Sequence, residues 1–473
     1  VRTMKRPNLL LILIDDMGWK DISCMGSEFY ETPHIDRLAR EGMLFTNAYA
    51  ACPVCSPTRA SLLSGKYPAR VGVTNWIGGQ AQGRVIDAPY TWELPLAEFS
   101  LARALKAAGY ATWHVGKWHL GKEPFWPEQH GFDVNVGGCH MGCPHHGYFS
   151  PWHIPTLPNG PEGEYLTDRL GDETARLIAQ HDPAQPFFLN LWFYQVHNPM
   201  QGKPEKIAKY EAKAKALGLD QVETFADGDF FPCEHKKTQR IRRRLVQSSA
   251  VYAAMIESLD ENIGKIFAAL EARGMMDDTL IVFTSDNGGL STSEGSPTCN
   301  APLSEGKGWT YEGGVREPLL ARWPGVVAAG SRCAEPVTSP DFYPTFLEAA
   351  GAPLLPEQHR DGVSFLPLLR GEPMRRGPIF WHYPHYGNQG GSPGGIVRED
   401  DWKLIEFFED GHLELYNLAD DIAEERDLAA AEPARVRDLH AKLVAWRQEV
   451  GAVMPEPNPA FAPWREGPCG HHN

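Results

Sequence analysis

Solid apolar runs alternate along this chain with amphipathic segments, and polar, glycine-bearing loops join them. Asn8 to Ile14 (NLLLILI) is continuously apolar, the pattern of a strand buried on both faces of a parallel sheet. Tyr110 to Val115, Pro186 to Tyr194, Thr279 to Thr284 and Leu319 to Trp323 read as further strands. Between them lie helical segments: Thr32 to Glu41, Leu94 to Ala108, Leu245 to Arg273 and Ser339 to Ala350. Thr32 is a cap with Pro33 in the first turn, and Gly274 ends the third helix. Residues 200–245 are charged and broken by glycines, which predicts an insertion or a solvated helical segment. Within it HKKTQRIRRR reads as a charged helix face rather than a nucleic-acid arm.

After Gly371 the rhythm shortens. Pro378 to Tyr383, Gly395 to Arg398, Trp402 to Phe408 and Leu413 to Tyr416 are β-like, and Glu409-Asp410-Gly411 marks a hairpin. A helix with Val436, Leu439, Leu443 and Trp446 on one face follows. The expected organisation is an α/β domain over 1–372, with a mostly parallel sheet, and a smaller α+β domain over 373–473. A length of 473 residues fits two domains.

The apolar runs end in chemistry. Asp15 and Asp16 follow the first; Lys117 and His119 (GKWHLG) follow the strand at 110–115; His197 follows the strand at 186–194; Asp286 and Asn287 (SDNGG) follow the strand at 279–284. The C-terminal ends of parallel strands share one sheet edge, so these groups can meet there. Adjacent carboxylates such as Asp15 and Asp16 repel each other unless a cation holds them. With Asp286 and Asn287 they form an all-oxygen set suited to Ca²⁺, or to Mg²⁺ with added waters. Lys307 sits in a glycine-rich loop, GKGWTYEGGVREP. In CSPTRASLLSG, Cys55 stands just before a helix that Ser56 caps, Pro57 opens and Gly65 ends. Arg59, one turn on, is placed to reach back over Cys55. GGCHMGCPHHG, residues 137–147, crowds cysteines and histidines at a spacing that matches no standard zinc module.

A net charge of -15 argues against nucleic acid or an anionic membrane as the main partner, while a local cationic pocket can still hold a sulfated one. No run of about 18 apolar residues exists, so no membrane span is expected. Nine cysteines at irregular spacings show no disulfide framework. The start, VRTMKRPNLLLILIDD, has too short an apolar part for a secretory leader. The expectation is a periplasmic or secreted protein whose signal peptide is absent from this chain, with a cytoplasmic one as the alternative.

Cys55-x-Pro57-x-Arg59 with Leu63, Ser64 and Gly65 resembles the signature of the type I sulfatases. Asp15-Asp16, GKWHLG, Asp286-Asn287 and Lys307 with Arg316 and Pro318 are similar to further motifs of that family. The resemblance implies an alkaline-phosphatase-like fold, a large mixed sheet flanked by helices with a small antiparallel second domain. It implies that a formylglycine-generating maturation enzyme oxidises Cys55 to Cα-formylglycine. Calcium is the metal it favours, held by Asp15, Asp16, Asp286, Asn287 and the converted Cys55. Arg59 would then bind the hydrated aldehyde, Lys117 and Lys307 the sulfate. His197 would protonate the leaving alcohol, with Lys117 able to share that role, and His119 would act as base. A sulfated small molecule or saccharide is the implied substrate; His140, His145, Trp76, Trp152 and Trp309 are candidates for its wall. Two other readings are a phosphonate monoester or phosphodiester hydrolase with the same nucleophile, and an inactive protein that binds sulfated glycans.

Overall fold

The apolar runs become the strands of one nine-stranded sheet in a computed structural model that describes residues 6–464. Residues 1–5, which begin the stretch weighed as a leader, lie outside the described residues. In chain order the strands are β1 (Asn8–Ile14), β2 (Met43–Tyr49), β3 (Ala111–Gly116), β4 (Val134–Val136), β5 (Phe187–Trp192), β6 (Thr279–Ser285), β7 (Arg316–Arg322) and β8 (Ser331–Cys333). Across the sheet they run β8-β2-β7-β6-β1-β5-β3-β4, and Val337–Thr338 also pairs with β2. β1 is parallel to β5 and β6, and β3 to β5 and β4. β7 runs antiparallel between β2 and β6, so the sheet is mixed and mostly parallel.

All seven residues of β1 are buried because each face of the sheet carries its own core. Leu10, Ile12 and Ile14 pack with the helices Pro33–Glu41, Leu166–Gln180 and Ala250–Ala272. Leu9, Leu11 and Leu13 pack with Cys55–Ser64, Leu101–Ala107 and Phe342–Ala349. The period-two alternation of a strand thus serves two helical layers at once.

Two expected helices are shorter than their patterns. The expected helix from Leu94 begins only at Leu101, because the Ser100 hydroxyl caps it by accepting from the Arg103 N–H. The helix expected from Leu245 begins at Ala250, after Ser249, whose hydroxyl accepts from the Tyr252 N–H. The charged segment divides into a helix, Pro204–Ala216, and an antiparallel pair, Phe225–Phe230 with Arg240–Arg244. HKKTQRIRRR is therefore not a helix face. Its RIRRR is a strand with Ile241 buried, Arg240 over the Phe230 ring, and Arg242 and Arg244 over Phe225.

The C-terminal sheet is antiparallel throughout: β9 (Ile379–Tyr383), β10 (Gly394–Glu399), β11 (Trp402–Phe407) and β12 (Leu413–Asn417). The helix Pro433–Val450 lays Leu439, Leu443 and Trp446 on it. A buried ionic seam joins this sheet to the larger one. Lys403 of β11 reaches Glu312 at 3.0 Å and Glu424 at 2.7 Å. Glu312 also accepts from the Tyr49 hydroxyl at 2.7 Å and pairs with Arg316 at 3.2 Å. Burial opposes ionisation of both carboxylates. Lys403, Arg316 and Arg398 nevertheless hold Glu312 down at about 2, whereas burial leaves Glu424 at about 8 despite Lys403.

Removing one partner of a buried ion pair leaves the other charge without compensation. Lys403→Met should therefore lower the free energy of urea unfolding by about 3–5 kcal/mol. A loss below about 1 kcal/mol, the range of an exposed pair, would contradict this account of the seam.

Candidate active site

β1, β5, β6 and β3 end on the same edge, and the polar residues that follow them meet there. Lys117 directs Nζ to Asp15 Oδ2 at 2.7 Å. It can do so because Gly116 turns the chain with φ 102°; a Cβ there would stand 1.9 Å from the Trp192 carbonyl oxygen. Lys307 directs Nζ to Asp16 Oδ2 at 2.8 Å. Its loop lies so close to the end of β6 that a Cβ on Gly306 would meet the Gly289 carbonyl oxygen at 2.3 Å. Asp16 and His119 both adopt positive φ, 64° and 55°, a conformation costing of order 1–3 kcal/mol in a non-glycine residue. Such strain is concentrated at functional sites.

Cys55 is the first residue of the helix Cys55–Ser64, and Gly65 ends it in a left-handed conformation. The sequence placed Cys55 one residue outside that helix, with Ser56 as its cap. Instead Val54 holds the cap position and Pro57 the third helical one. Ser56 is engaged elsewhere: its hydroxyl donates to the His119 carbonyl at 2.9 Å and accepts from the Ile77 N–H at 3.2 Å. It ties two loops of the site to the helix start. Arg59 turns to Asp286 rather than back over Cys55. Its Nε and a terminal nitrogen lie 2.9 and 2.7 Å from Asp286 Oδ2, and the other terminal nitrogen donates to the Lys117 carbonyl at 3.1 Å.

His119 Nδ1 lies 3.3 Å from Cys55 Sγ, and its Nε2 lies 3.2 Å from the Ile77 carbonyl oxygen. A carbonyl only accepts, so Nε2 carries the proton and Nδ1 faces Cys55 with a lone pair. His197 has the opposite tautomer. Its Nδ1 donates to the Asn198 carbonyl at 2.9 Å, and Nε2 accepts from Lys307 Nζ at 3.0 Å. Burial first, then Lys117, holds His119 well below the usual histidine range; burial and Lys307 push His197 down to about 3. Burial raises the Cys55 thiol above its ordinary value despite Lys117 and Lys307, so it is a poor thiolate.

The four oxygen donors come together as a buried group. Asn287 Nδ2 donates to Asp16 Oδ1 at 2.8 Å, and the Asp16 N–H donates to Asp286 Oδ1 at 3.2 Å. Asp15 Oδ1 and Asn287 Oδ1 are buried without a hydrogen-bond partner. Two orphaned oxygens in one buried, strained cluster fit a hard divalent cation. The adjacent carboxylates also diverge. Burial raises Asp15 well above the ordinary value, whereas Lys307, His197 and Lys117 outweigh burial and hold Asp16 below it. Oxygens of Asp15 and Asp16 and a ring nitrogen of His197 lie within 4.8 Å of one another, so His197 stands closer to the donor set than its sequence position indicated.

Above this edge opens a cleft of 360 Å³ lined by Cys55, His119, His197 and Lys307. Trp76, His140 and His145 line it as well. Trp152 and Trp309, the other wall candidates, do not. Trp152 is fully buried, with Nε1 donating to the Tyr148 carbonyl, and Trp309 donates to Thr292 and the Gln389 carbonyl inside the domain seam. Trp92, Lys122, Glu294 and Gln389 line the cleft without any sequence signal. They lie in irregular loops, where periodicity carries no information on facing.

The family model "Sulfatase" matches residues 7–352, and "N-sulphoglucosamine sulphohydrolase, C-terminal" matches residues 306–449. A protein named "Sulfatase" from Formosa agariphila is 33% identical over 93% of this chain and 89% of its own. Human N-acetylgalactosamine-6-sulfatase is 35% identical over 80% of this chain and 68% of its own. Among solved structures, Ps i-CgsB in complex with k-i-k-neocarrahexaose superposes with a TM-score of 0.75 at 28% identity, covering 93% of each chain. The chain belongs to the sulfatase family and is a sulfuric ester hydrolase.

Proposed function

We propose that this protein hydrolyses a sulfate ester on a carbohydrate, with Cys55 acting after conversion to Cα-formylglycine. The observation that carries the reading is the convergence on residue 55 of an unprotonated nitrogen, His119 Nδ1, and the cations Lys117 and Lys307. Asp15, Asp16, Asp286 and Asn287 would hold a divalent cation, calcium in preference to magnesium, which supplies Lewis acidity beside residue 55. A hydrated aldehyde offers two hydroxyls where serine has one, so one takes the sulfuryl group and the other releases it. Lys117 and Lys307 bind the sulfate oxygens; at 4 Å and an effective dielectric near 20 each contributes about 4 kcal/mol before desolvation. His119 Nδ1 takes a proton from residue 55. His197 Nε2 protonates the leaving alcohol with a proton taken up from solvent, the bound sulfate adding the negative charge that favours the imidazolium, while Lys307 stays an ammonium on the sulfate. Cys55, Pro57 and Arg59 are buried, so a maturation enzyme that reads them acts before this helix is enclosed.

The carbohydrate reading draws on the relatives named for N-acetylgalactosamine-6-sulfate and neocarrahexaose, and on a cleft lined by Trp76, His140 and His145. Fully converted protein is expected to release sulfate from 4-nitrocatechol sulfate and to prefer it to an aryl phosphonate; preference for the phosphonate by orders of magnitude would overturn the assignment.

The peptide containing Cys55 should weigh about 18 Da less than its thiol form in active protein, by mass spectrometry. Cys55→Ser should lower kcat by about 10⁴-fold or more. Activity in protein whose Cys55 remains a thiol would remove the formylglycine step. Calcium at about 100 times its dissociation constant should raise stability by about 2.7 kcal/mol, read as an upward shift in Tm that a chelator reverses. Asp15→Asn should weaken that shift, and an equal calcium response in wild type and variant would remove Asp15 from the donor set.

A further inference from the structure

A second hollow, of 920 Å³, adjoins the cleft, and Trp92 lines both. The join is continuous. Residues 76–78 line the inner cleft and 80–82 the outer hollow, and His235 of the outer wall lies 3.4 Å from Asn388 of the inner one. The floor is built rather than left between loops, since Ile86 and Glu456 line it and pair as neighbouring strands.

Trp92 is 43% exposed, yet it is held in place. Its ring stacks on Tyr90 at 6.1 Å and 29°, and Tyr90 meets the buried His385 edge-on at 5.2 Å. The Tyr90 hydroxyl lies 2.9 and 2.7 Å from the carbonyl oxygens of Trp76 and Gly79, which fixes the stack to the inner cleft's wall. An exposed indole on a buried support offers a flat apolar face to a ligand. The charges around it differ from those of the inner cleft. Asp87, Glu234 and Glu456 line the outer hollow, with no lysine or arginine among its described lining residues; behind the wall Lys237 lies 3.5 Å from Glu234, and Asp87 accepts from the Ala81 and Tyr386 N–H groups. The inner cleft has two lysines, Lys122 and Lys307, against one carboxylate, Glu294.

We propose that the outer hollow is a second saccharide subsite, taking an uncharged ring linked to the sulfated ring that occupies the inner cleft. This rests on the reading of the inner cleft as a sulfate-ester site. Trp92 stacks on the apolar face of the second ring, and the carboxylates accept from its hydroxyls. A sulfate on that ring would face these carboxylates, with Lys237 offsetting Glu234, and is disfavoured by like charge.

The test compares kcat/KM for three probe sets, by sulfate release from fully converted protein. They are the mono-O-sulfates of galactose and N-acetylgalactosamine, the same rings β-linked to an unsulfated hexose, and the same disaccharides sulfated on the second ring too. The singly sulfated disaccharide should exceed its monosaccharide by about tenfold or more and should exceed the doubly sulfated one. Trp92→Ala should collapse the ratio of disaccharide to monosaccharide toward one, and Trp92→Phe should keep most of it. Glu234→Gln with Glu456→Gln should narrow the gap to the doubly sulfated probe. Equal rates for monosaccharide and disaccharide, an unchanged ratio in Trp92→Ala, or preference for the second sulfate would each overturn the subsite. If 4-nitrocatechol sulfate is turned over without any such preference, the subsite alone fails. If no probe releases sulfate, the sulfatase reading fails and the subsite with it.

Discussion

Three carboxylates are buried at one sheet edge, and each is held by its own cation: Asp15 by Lys117 at 2.7 Å, Asp16 by Lys307 at 2.8 Å and Asp286 by Arg59 at 2.7 Å. A buried carboxylate without such a partner costs several kcal/mol, so each pair constrains the fold as much as the chemistry. The cations come from three unconnected places: the loop after β3, a glycine-rich loop and the helix that begins at Cys55. The charge balance is complete only when all of them have docked against β1 and β6. Balanced pairs attract no anion by themselves. A divalent cation on the orphaned oxygens of Asp15 and Asn287 would leave the edge net positive, and the lysines would then be available to a sulfate.

The second domain takes part in this balance. Lys307 lies five residues before Glu312, which the C-terminal sheet neutralises through Lys403. The loop between them is clamped on both sides. The Gly308 N–H donates to the Pro53 carbonyl at 2.8 Å, and a Cβ on Gly391 would meet the Gly308 carbonyl oxygen at 2.0 Å. Trp309 is the anchor of that clamp, which explains why it is not part of the cleft wall. The small domain thereby helps set the position of a lysine at the larger sheet's edge.

Much of this was legible in the chain itself, because the residues concerned stand at fixed points of regular structure. Asn8–Ile14 and Thr279–Ser285 are unbroken apolar runs, so the residues just after them had to fall at a strand end, and Gly65 marked the end of the Cys55 helix. Local competition for hydrogen bonds was less legible. Capped by Ser100, one helix began seven residues later than the periodicity indicated, and Ser56 bonded to neighbouring loops instead of capping. The RIRRR segment followed a two-residue period hidden beneath its charge. The faces of loop aromatics were not legible at all. Trp152 is internal, its indole N–H donating to the Tyr148 carbonyl, and Trp92 is exposed, and no local pattern announces either.

The protein's net charge of -15 would repel a polyanionic saccharide at long range, yet the proposed reaction requires the cleft to hold an anion. The two facts are compatible because surface charges separated by more than about 8 Å are screened at physiological ionic strength, whereas the paired groups below the cleft are shielded from water. Attraction is therefore confined to the place where Lys117, Lys307 and a cation would meet the sulfate. Outside that place the acidic surface, including the carboxylates beyond Trp92, acts against anionic groups. With a cation bound, a field positive in one cleft and negative around it would hold a sulfate in a single position, which a uniformly basic groove would not do.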